Sequence, residues 1–190
     1  MRRSGRLATI RDARNTVYLS NTYDDAGRVA QQTIADGGHF QLDYTTDSSG
    51  KVTATTLTDP RGNVRRLTFN AAGYLLTDTR ANGTTIAQTT TYTRDSSNLA
   101  SAVTDPLGRQ TTFTYDPFGN PTSITEQAGT SDARTTNIVY GGPFDQVSQI
   151  TDPLNHVWTF SYATSGALAT ATDPVNRTST VDTNEFGQPT

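Results

Sequence analysis

Two histidines and one pair of adjacent aspartates are the first residues of this sequence to consider for chemistry. His39 and His156 are the only histidines, and two isolated histidines cannot build a metal cluster without carboxylate ligands. Both lie where a turn leads into an alternating segment, and His156 starts the segment that carries Trp158, so we predict structural roles for both. Asp24 and Asp25 suggest acid–base catalysis, which needs convergent side chains. Adjacent residues at a strand end point apart, so we predict that they serve a turn instead.

Two polar loops offer oxygen atoms that a calcium ion could use. They are Asp47-Ser48-Ser49-Gly50 and Asp95-Ser96-Ser97-Asn98, and both lack the dense acidic spacing of a calcium loop. We therefore predict ordinary turns. The sequence also has no cysteine, no Gly-x-Ser-x-Gly motif and no glycine-rich loop that opens a helix. These observations predict no catalytic residue, no metal ligand and no cofactor site, so we do not expect an enzyme.

The composition indicates an all-β chain. The 190 residues include 37 threonines and 16 aspartates but only one lysine and two glutamates, so β-branched and turn-forming residues far outnumber good helix formers. A net charge of −3 and scattered arginines give no basic stripe for nucleic acid. No run of apolar residues is long enough to span a membrane, and Met1-Arg2-Arg3-Ser4-Gly5 has no apolar stretch behind it, so we expect no signal peptide.

An aromatic anchor recurs along almost the whole chain. The gaps between successive anchors are 21, 25, 23, 23, 25 and 22 residues. The anchors are Tyr23, Tyr44, Phe69, Tyr92, Tyr115, Tyr140 and Tyr162. A glycine follows some anchors after four residues, as in Tyr23 and Gly27 or, in degenerate form, Thr183 and Gly187. Longer versions lie between them, after Tyr44, Tyr92 and Tyr140. Units with short turns therefore alternate with units with long turns, which predicts a higher-order period of about 46 residues.

A second turn signal, Thr-Asp-Pro, alternates with the aromatic anchors. Asp12-Ala13-Arg14-Asn15 and Asp36-Gly37-Gly38-His39 are weaker copies of it. The residues that we predict to define the repeat are Tyr23, Asp24, Gly27, Tyr44, Gly50, Asp59, Pro60, Gly62, Phe69, Gly73, Tyr92, Asp105, Pro106, Gly108, Tyr115, Asp116, Gly119, Tyr140, Asp152, Pro153, Trp158, Tyr162, Gly166, Asp173, Pro174 and Gly187. Their role is structural.

Each unit of about 23 residues has the pattern of one β-hairpin. Segment 110–115 alternates apolar and hydroxyl side chains, as a half-buried strand does, and Asp116-Pro117-Phe118-Gly119 forms a tight turn. About eight such units predict roughly 16 antiparallel strands, arranged as a long strip that curls because each strand pair adds twist. With no helical layer to cover it, the apolar face must pack on itself, on further repeats or on a partner.

These motifs resemble those of the RHS/YD-repeat family. The resemblance rests on Tyr115-Asp116-x-x-Gly119 after Thr104-Asp105-Pro106-Leu107-Gly108-Arg109, and on Tyr23 to Arg28 as the other full match. It spans residues 4–190 and is specific because the motif repeats. The aspartate is missing after Phe69, Tyr92, Tyr140 and Tyr162. In that family the strip winds as a spiral into a hollow shell, as in bacterial Rhs toxins, insecticidal toxin complexes and teneurins.

The resemblance implies that residues 1–190 are a single array of hairpins within a shell that encloses a toxin or effector polypeptide. The array starts and ends in the middle of a unit, at Gly5-Arg6-Leu7 and Gly187-Gln188-Pro189-Thr190, without capping segments. The implied partners are further repeats of a longer chain and an enclosed C-terminal effector, in a secreted or cell-surface bacterial protein. Self-association through open sheet edges is a further expectation.

A binding module is the alternative function. The aromatic residues could stack on carbohydrate, and the open strands at the ends of the sheet could pair with a partner chain. Aromatic residues that recur at one phase of every strand also fit packing of the sheet's own face. The sequence identifies neither the cargo nor the face that would line a cavity.

Overall fold

Short segments of alternating side chains between tight turns build the whole fold. A computed structural model describes residues 5–184, 187, 188 and 190 of the chain. The charged start Met1–Ser4, on which the signal-peptide expectation depends, lies outside the described residues, as does Pro189.

Sixteen antiparallel strands form one sheet, and no helix occurs in the part of the chain that the structure describes. The prediction of an all-β chain with roughly 16 strands is therefore confirmed. The strands are β1 (Thr9–Arg11), β2 (Val17–Tyr23), β3 (Val29–Ile34), β4 (His39–Thr46), β5 (Val52–Thr58), β6 (Val64–Phe69), β7 (Leu75–Arg80), β8 (Gln88–Arg94), β9 (Ala100–Thr104), β10 (Gln110–Tyr115), β11 (Pro121–Glu126), β12 (Arg134–Gly141), β13 (Gln146–Thr151), β14 (Val157–Tyr162), β15 (Leu168–Thr172) and β16 (Thr178–Thr180).

The strands follow one another in chain order, so consecutive hairpins form a meander without crossovers. The chain divides into two compact units, Met1–Tyr92 and Thr93–Thr190, which are described separately below. In each unit the aromatic anchors lie at the ends of the even-numbered strands β2 to β14 or within two residues of them. We call this end of the strands the tyrosine side, and we call the opposite end, where the Thr-Asp-Pro signals lie, the Asp-Pro side.

Most turns share one backbone geometry. At the turn after β2, Asp24 N–H donates to Arg28 O at 2.9 Å, Gly27 N–H donates to Asp24 O at 2.9 Å, and Gly27 has φ +82°. A tight turn that ends in a left-handed residue introduces a bulge. The register accordingly shifts between Thr22 and Tyr23. Asparagine takes the left-handed position in four other turns: Asn15, Asn98, Asn155 and Asn176.

Two turn predictions need correction. The longer versions after Tyr44 and Tyr92 do not have longer turns, because Asp47–Lys51 and Asp95–Leu99 close with the same hydrogen bonds as the other turns. The two extra residues extend β4 and β8 instead. The second correction concerns Asp36, since the turn before β4 starts at Ile34, whose N–H donates to Gly38 O.

Within each unit the strands contact only their neighbours in the sheet, and very little surface is buried. The burial of β4 and β14 alternates along the strand, with half-buried Phe40, Leu42 and Tyr44 on one face of β4. Only Ala54 and Ala102 are buried among the described apolar residues, at 3% and 8% exposure. The apolar face is therefore open to a covering layer that the described residues do not supply.

Threonine and serine hydroxyls pair across neighbouring strands. The hydroxyls of Thr125 and Thr135 lie 2.9 Å apart, and those of Thr79 and Thr89 lie at the same distance. Ser161 and Thr170 form a shorter pair at 2.6 Å. Cross-strand hydroxyl pairs of this kind stabilise antiparallel sheets, which explains the high threonine content.

Candidate interaction surface on the tyrosine side

An aspartate or asparagine side chain caps most turns. Asp116 Oδ1 accepts hydrogen bonds from Phe118 N–H and Asn120 N–H, both at 2.9 Å. The same pair of bonds forms at Asp24 in part and fully at Asp47, Asp59, Asp95, Asp105, Asp152 and Asp173. Asn70 makes both bonds with its amide oxygen at 3.0 Å. The cap therefore requires an acceptor oxygen and tolerates the loss of the charge.

These caps shift the acidity of the carboxyl groups. The Asn63 amide and backbone N–H groups hold the pKa of Asp59 below its usual value, and the Arg109 side chain does the same for the pKa of Asp105. At Asp116, burial raises the pKa, but hydrogen bonds from Asn120 and the backbone outweigh it, so the net shift is downward. Hydrogen bonds to the charged form favour ionisation.

Five anchor tyrosines donate a hydrogen bond to a carbonyl at or near the start of the preceding strand. The hydroxyl of Tyr44 donates to Val29 O at 2.8 Å, and that of Tyr140 donates to Pro121 O at 3.1 Å. The other three pairs are Tyr23 with Leu7, Tyr115 with Ala100 and Tyr162 with Val147. Phe69 has no hydroxyl for this bond. The recurring tyrosine therefore joins two neighbouring strands as well as filling one face of the sheet.

At several turns on the tyrosine side, the residue between the turn and the following strand reaches a neighbouring turn or an anchor ring. We call these the bridging residues. In the first unit they are cationic at three positions, Arg6, Arg28 and Lys51. The guanidinium of Arg28 lies 4.6 Å from the centre of the Tyr44 ring, that of Arg6 lies 5.5 Å from the Tyr23 ring, and Lys51 donates to Ala71 O.

The bridging residues of the second unit are neutral. Leu99 approaches Gly119, where an added Cβ would lie 3.6 Å from its Cδ1. Asn120 Nδ2 donates to Asp145 Oδ2 at 2.6 Å, and Gln146 Nε2 donates to Gly166 O at 2.6 Å. In both units, the bridging residue contacts the neighbouring turn or anchor ring, but it is cationic at three positions of the first unit and neutral in the second.

The region around Asn120 combines two carboxylates with exposed aromatic rings. Asn120 Nδ2 also donates to Asp116 Oδ2 at 3.0 Å, so one amide nitrogen is shared by Asp116 and Asp145. Phe118 and Phe144 are 84% and 65% exposed. They border a cavity of about 500 Å³ with Asn120, Gly142 and Asp145. Burial raises the pKa of the Tyr140 phenol, and the negative charges of Asp116 and Asp145 raise it further.

The Asp-Pro side carries ion pairs within its turns. Arg109 and Asp105, and Arg177 and Asp173, pair at 2.6 Å on this side. His156 takes the equivalent position, with its Nδ1 2.9 Å from Asp152 Oδ2. Its ring also meets the Trp158 ring edge to face, with centres 6.4 Å apart. His156 is thus placed as a turn residue.

The other residues considered for chemistry lie apart. Asp24 caps its turn, whereas Asp25 is exposed at the tip of that turn. His39 is exposed at the start of β4. Within residues 5–184, 187, 188 and 190, no three His, Asp or Glu side chains are grouped closely enough to hold a metal ion. A search of the same residues finds no helix with the length and hydropathy needed to span a membrane.

The predicted repeat residues occupy two recurring settings rather than one site. The anchors and their turns lie on the tyrosine side, and Asp59, Asp105, Asp152 and Asp173 with their prolines lie on the Asp-Pro side. Sequence reasoning did not single out Asn120, Phe144 or Asp145 as interaction residues. The available signal was the alignment of Asn120 with Arg28, since each is the fifth residue of a turn that starts directly after an anchor.

Comparison with known proteins gives one family match, to part of the chain. The family model described as RHS Repeat matches residues 94–131. A search of curated proteins finds no significant match.

Solved structures with similar folds are toxin-complex proteins. The crystal structure of TcdB2-TccC3-Cdc42 matches with a TM-score of 0.65 at 20% identity, over 89% of this chain and 10% of that one. A Photorhabdus luminescens Tc holotoxin pore with a TccC3 mutation matches with a TM-score of 0.64 at 20% identity, over 88% and 10% of the two chains. TcdB2-TccC3 without its hypervariable C-terminal region matches with a TM-score of 0.55 at 14% identity, over 88% and 11%. The chain thus spans about a tenth of these chains, contains an RHS repeat, and has the fold of the matching part of TcdB2-TccC3.

Proposed function

We propose that the chain is a wall segment of an RHS shell that encloses an effector polypeptide and has no catalysis of its own. The observation that carries the proposal is a sheet with very little buried surface, in which only Ala54 and Ala102 are buried among the described apolar residues. A half-exposed apolar face of this extent is typical of a surface that another layer covers. An enclosed polypeptide, or a further stretch of wall, would supply that cover.

The architecture supports a wall in a second respect. Every strand between β2 and β15 has a neighbour on each side. At both ends of the strands, side-chain caps accept hydrogen bonds from the N–H groups of most turns. Few backbone donors in these turns are therefore left without a partner. We infer that residues 1–190 form one array of repeats, joined to further repeats of the same protein. The secreted or cell-surface location belongs to this proposal and depends on that larger protein.

Protease protection of the natural gene product tests the proposal. The protein is purified from its source without denaturant, its mass is measured, and it is treated with a nonspecific protease. We expect a mass well above 20.5 kDa, and a non-repeat segment that resists the protease until mild denaturant opens the wall. A natural product that ends at this array, or a cargo segment that is cleaved at once, would contradict enclosure.

The carbohydrate-binding alternative stays a prediction. A glycan array probed with the 190-residue chain measures it directly. Binding of a sugar that changes the fluorescence of Trp158 would support this alternative over the wall.

A further inference from the structure

The first unit provides an internal example of how its turns hold a guanidinium. Arg28 Nε donates to Asp24 Oδ2 at 2.7 Å, and the guanidinium carbon lies 4.6 Å from the centre of the Tyr44 ring. Burial and the charge of Asp24 raise the pKa of Tyr44, while the charge of Arg28 lowers it. The space between this carboxylate and the aromatic ring is therefore already occupied by a cation of the chain itself.

The equivalent place in the second unit has the same acceptors and no such cation. Asn120 Nδ2 donates to Asp116 Oδ2, as Arg28 Nε does to Asp24 Oδ2. The Asn120 side chain is shorter than that of Arg28, so it places no cationic group over Tyr140 as Arg28 does over Tyr44. A second carboxylate, Asp145, reaches the same amide nitrogen. Among the described residues, neither Asp116 nor Asp145 is in an ion pair.

The space next to these carboxylates is open and aromatic. The cavity of about 500 Å³ extends from Asn120 and Asp145 to the rings of Phe118 and Phe144. One face of the Phe144 ring packs against Gly166, where an added Cβ would lie 2.5 Å from the ring. A ring held in this way presents its other face to solvent. Large exposed aromatic surfaces beside unpaired charges are typical of binding sites.

We propose that this cavity, which we call the Asn120 site, binds the guanidinium of an arginine side chain presented by another polypeptide. A guanidinium is planar, stacks on aromatic rings and donates several hydrogen bonds in a fixed geometry. The cavity offers the carboxylate of Asp145 and two rings to such a group, and the charge of Asp116 lies on the other side of Asn120 Nδ2. The ammonium ion of lysine is compact and more strongly hydrated, so it interacts less favourably with the aromatic rings. The proposal goes beyond the wall function and does not depend on it.

Binding of short peptides to the 190-residue chain tests the Asn120 site. The probes are acetyl-Gly-Arg-Gly-amide and the same peptide with citrulline, which keeps the shape but has no charge. Binding is measured from NMR shifts of the Asn120 side-chain amide. We expect saturable binding of the arginine peptide, with a dissociation constant on the order of 1 mM, and binding of the citrulline peptide about tenfold weaker. A lysine peptide should bind about threefold more weakly than the arginine peptide.

Variants locate the binding within the structure. Asp145→Asn removes one carboxylate charge and should weaken binding of the arginine peptide about fivefold. Its matched control is Asp132→Asn, another exposed aspartate, in the loop after β11, which should leave binding unchanged. Phe118→Ala should weaken binding about threefold, whereas Leu154→Ala, at an exposed turn tip on the Asp-Pro side, should not.

Asn120→Arg gives the chain an internal guanidinium, as at Arg28, and should abolish peptide binding. If this variant does not fold, the comparison of arginine with citrulline and of Asp145→Asn with Asp132→Asn still decides the question. Equal binding of the arginine and citrulline peptides, or equal binding by both aspartate variants, would overturn the proposal. Lysine binding as strong as arginine binding would overturn the choice of a guanidinium.

Discussion

Equivalent turns of the first and second units have the same backbone hydrogen bonds but different bridging side chains. Asp24 N–H donates to Arg28 O at 2.9 Å, and Asp116 N–H donates to Asn120 O at 3.0 Å. Arg28 nevertheless lies over Tyr44, whereas Asn120 joins two carboxylates below an open aromatic cavity. The cap and the left-handed residue fix the turn, so the bridging position is free to vary in charge. One repeat can therefore close itself while another stays open to a partner.

Acid should have the largest effect, because carboxylate caps are common to both units. The folded pKa of Asp47, Asp59 and Asp105 lies below the usual value, with hydrogen bonds from Ser49, Asn63 and Arg109 as the main causes. Their stabilisation is complete above the unfolded pKa of about 3.9 and is lost as the pH falls through the folded pKa. We expect Tm to be lower at pH 3 than at pH 6.

Circular dichroism and the fluorescence of Trp158 measure this acid transition. Circular dichroism reports both units, and Trp158 reports the second unit alone. Coincident midpoints would show that the caps act alike in both units. A separate transition at Trp158 would show that the two units differ in their turns and not only in their bridging residues. Asp59→Asn keeps the acceptor oxygen, as Asn70 does, and should reduce the acid dependence.

A glycine substitution distinguishes a turn that packs against a side chain of a neighbouring turn from a turn that has no such contact. Gly166→Ala places a methyl group 2.5 Å from the Phe144 ring in a residue with φ +85°. Gly62 has φ +81° with nothing within 4 Å of the added Cβ. We expect a loss of unfolding free energy of about 3 kcal/mol for Gly166→Ala and about 1 kcal/mol for Gly62→Ala, measured by urea denaturation. Equal losses would mean that Phe144 moves aside without cost.

Removal of one tyrosine hydroxyl should have a smaller effect. Tyr44→Phe keeps the ring below Arg28 and loses the hydrogen bond to Val29 O, which should reduce the unfolding free energy by about 1 kcal/mol. Tyr18→Phe, at a position that is 45% exposed, is the control, and urea denaturation compares the two. A loss at Tyr18 as large as that at Tyr44 would argue against a specific role for the anchor hydroxyl.

Exchange of the bridging residue should have the smallest effect. Arg28→Asn removes the stacked guanidinium and should cost about 0.5 to 1 kcal/mol of unfolding free energy. Asn120→Arg should give a gain of similar size, since it adds a cation between Asp116 and Tyr140. Urea denaturation at low and high salt measures both variants. A loss of stability in both variants would mean that the bridging position is specific to its own turn.

Much of the fold could be predicted from the sequence because one local pattern recurs. The spacing of Tyr23, Phe69 and Tyr115, with the Asp-Pro signals between them, gave the hairpins and the number of strands. The extra residues after Tyr44 were assigned to the wrong element, because Thr45 and Thr46 suit a strand and a loop equally well on composition. Their place in β4 depends on the register with β5, which is a property of two segments together.

The interaction surface was harder to predict. Phe118 could be identified as a turn residue, but its neighbour Phe144 lies 26 positions later in a turn with a different sequence. The contact of Asn120 with Asp145 crosses from one turn to the next, and pattern reasoning within a single hairpin does not include it. Comparison of equivalent positions between repeats would have shown the change from Arg28 to Asn120.

Two loops on the Asp-Pro side are related by an offset of 46 residues. Asn82 N–H donates to Val64 O and Thr84 N–H to Ala81 O, while Ala128 N–H donates to Gln110 O and Thr130 N–H to Gln127 O. Each pair has the same sequence separation and the same acceptor position, and Ala81 and Gln127 both have φ +50°. Duplication or deletion of 46 residues between these loops would therefore preserve the strand pairing on either side. Recombination within the gene could change the length of the sheet in whole steps without any new fold having to evolve.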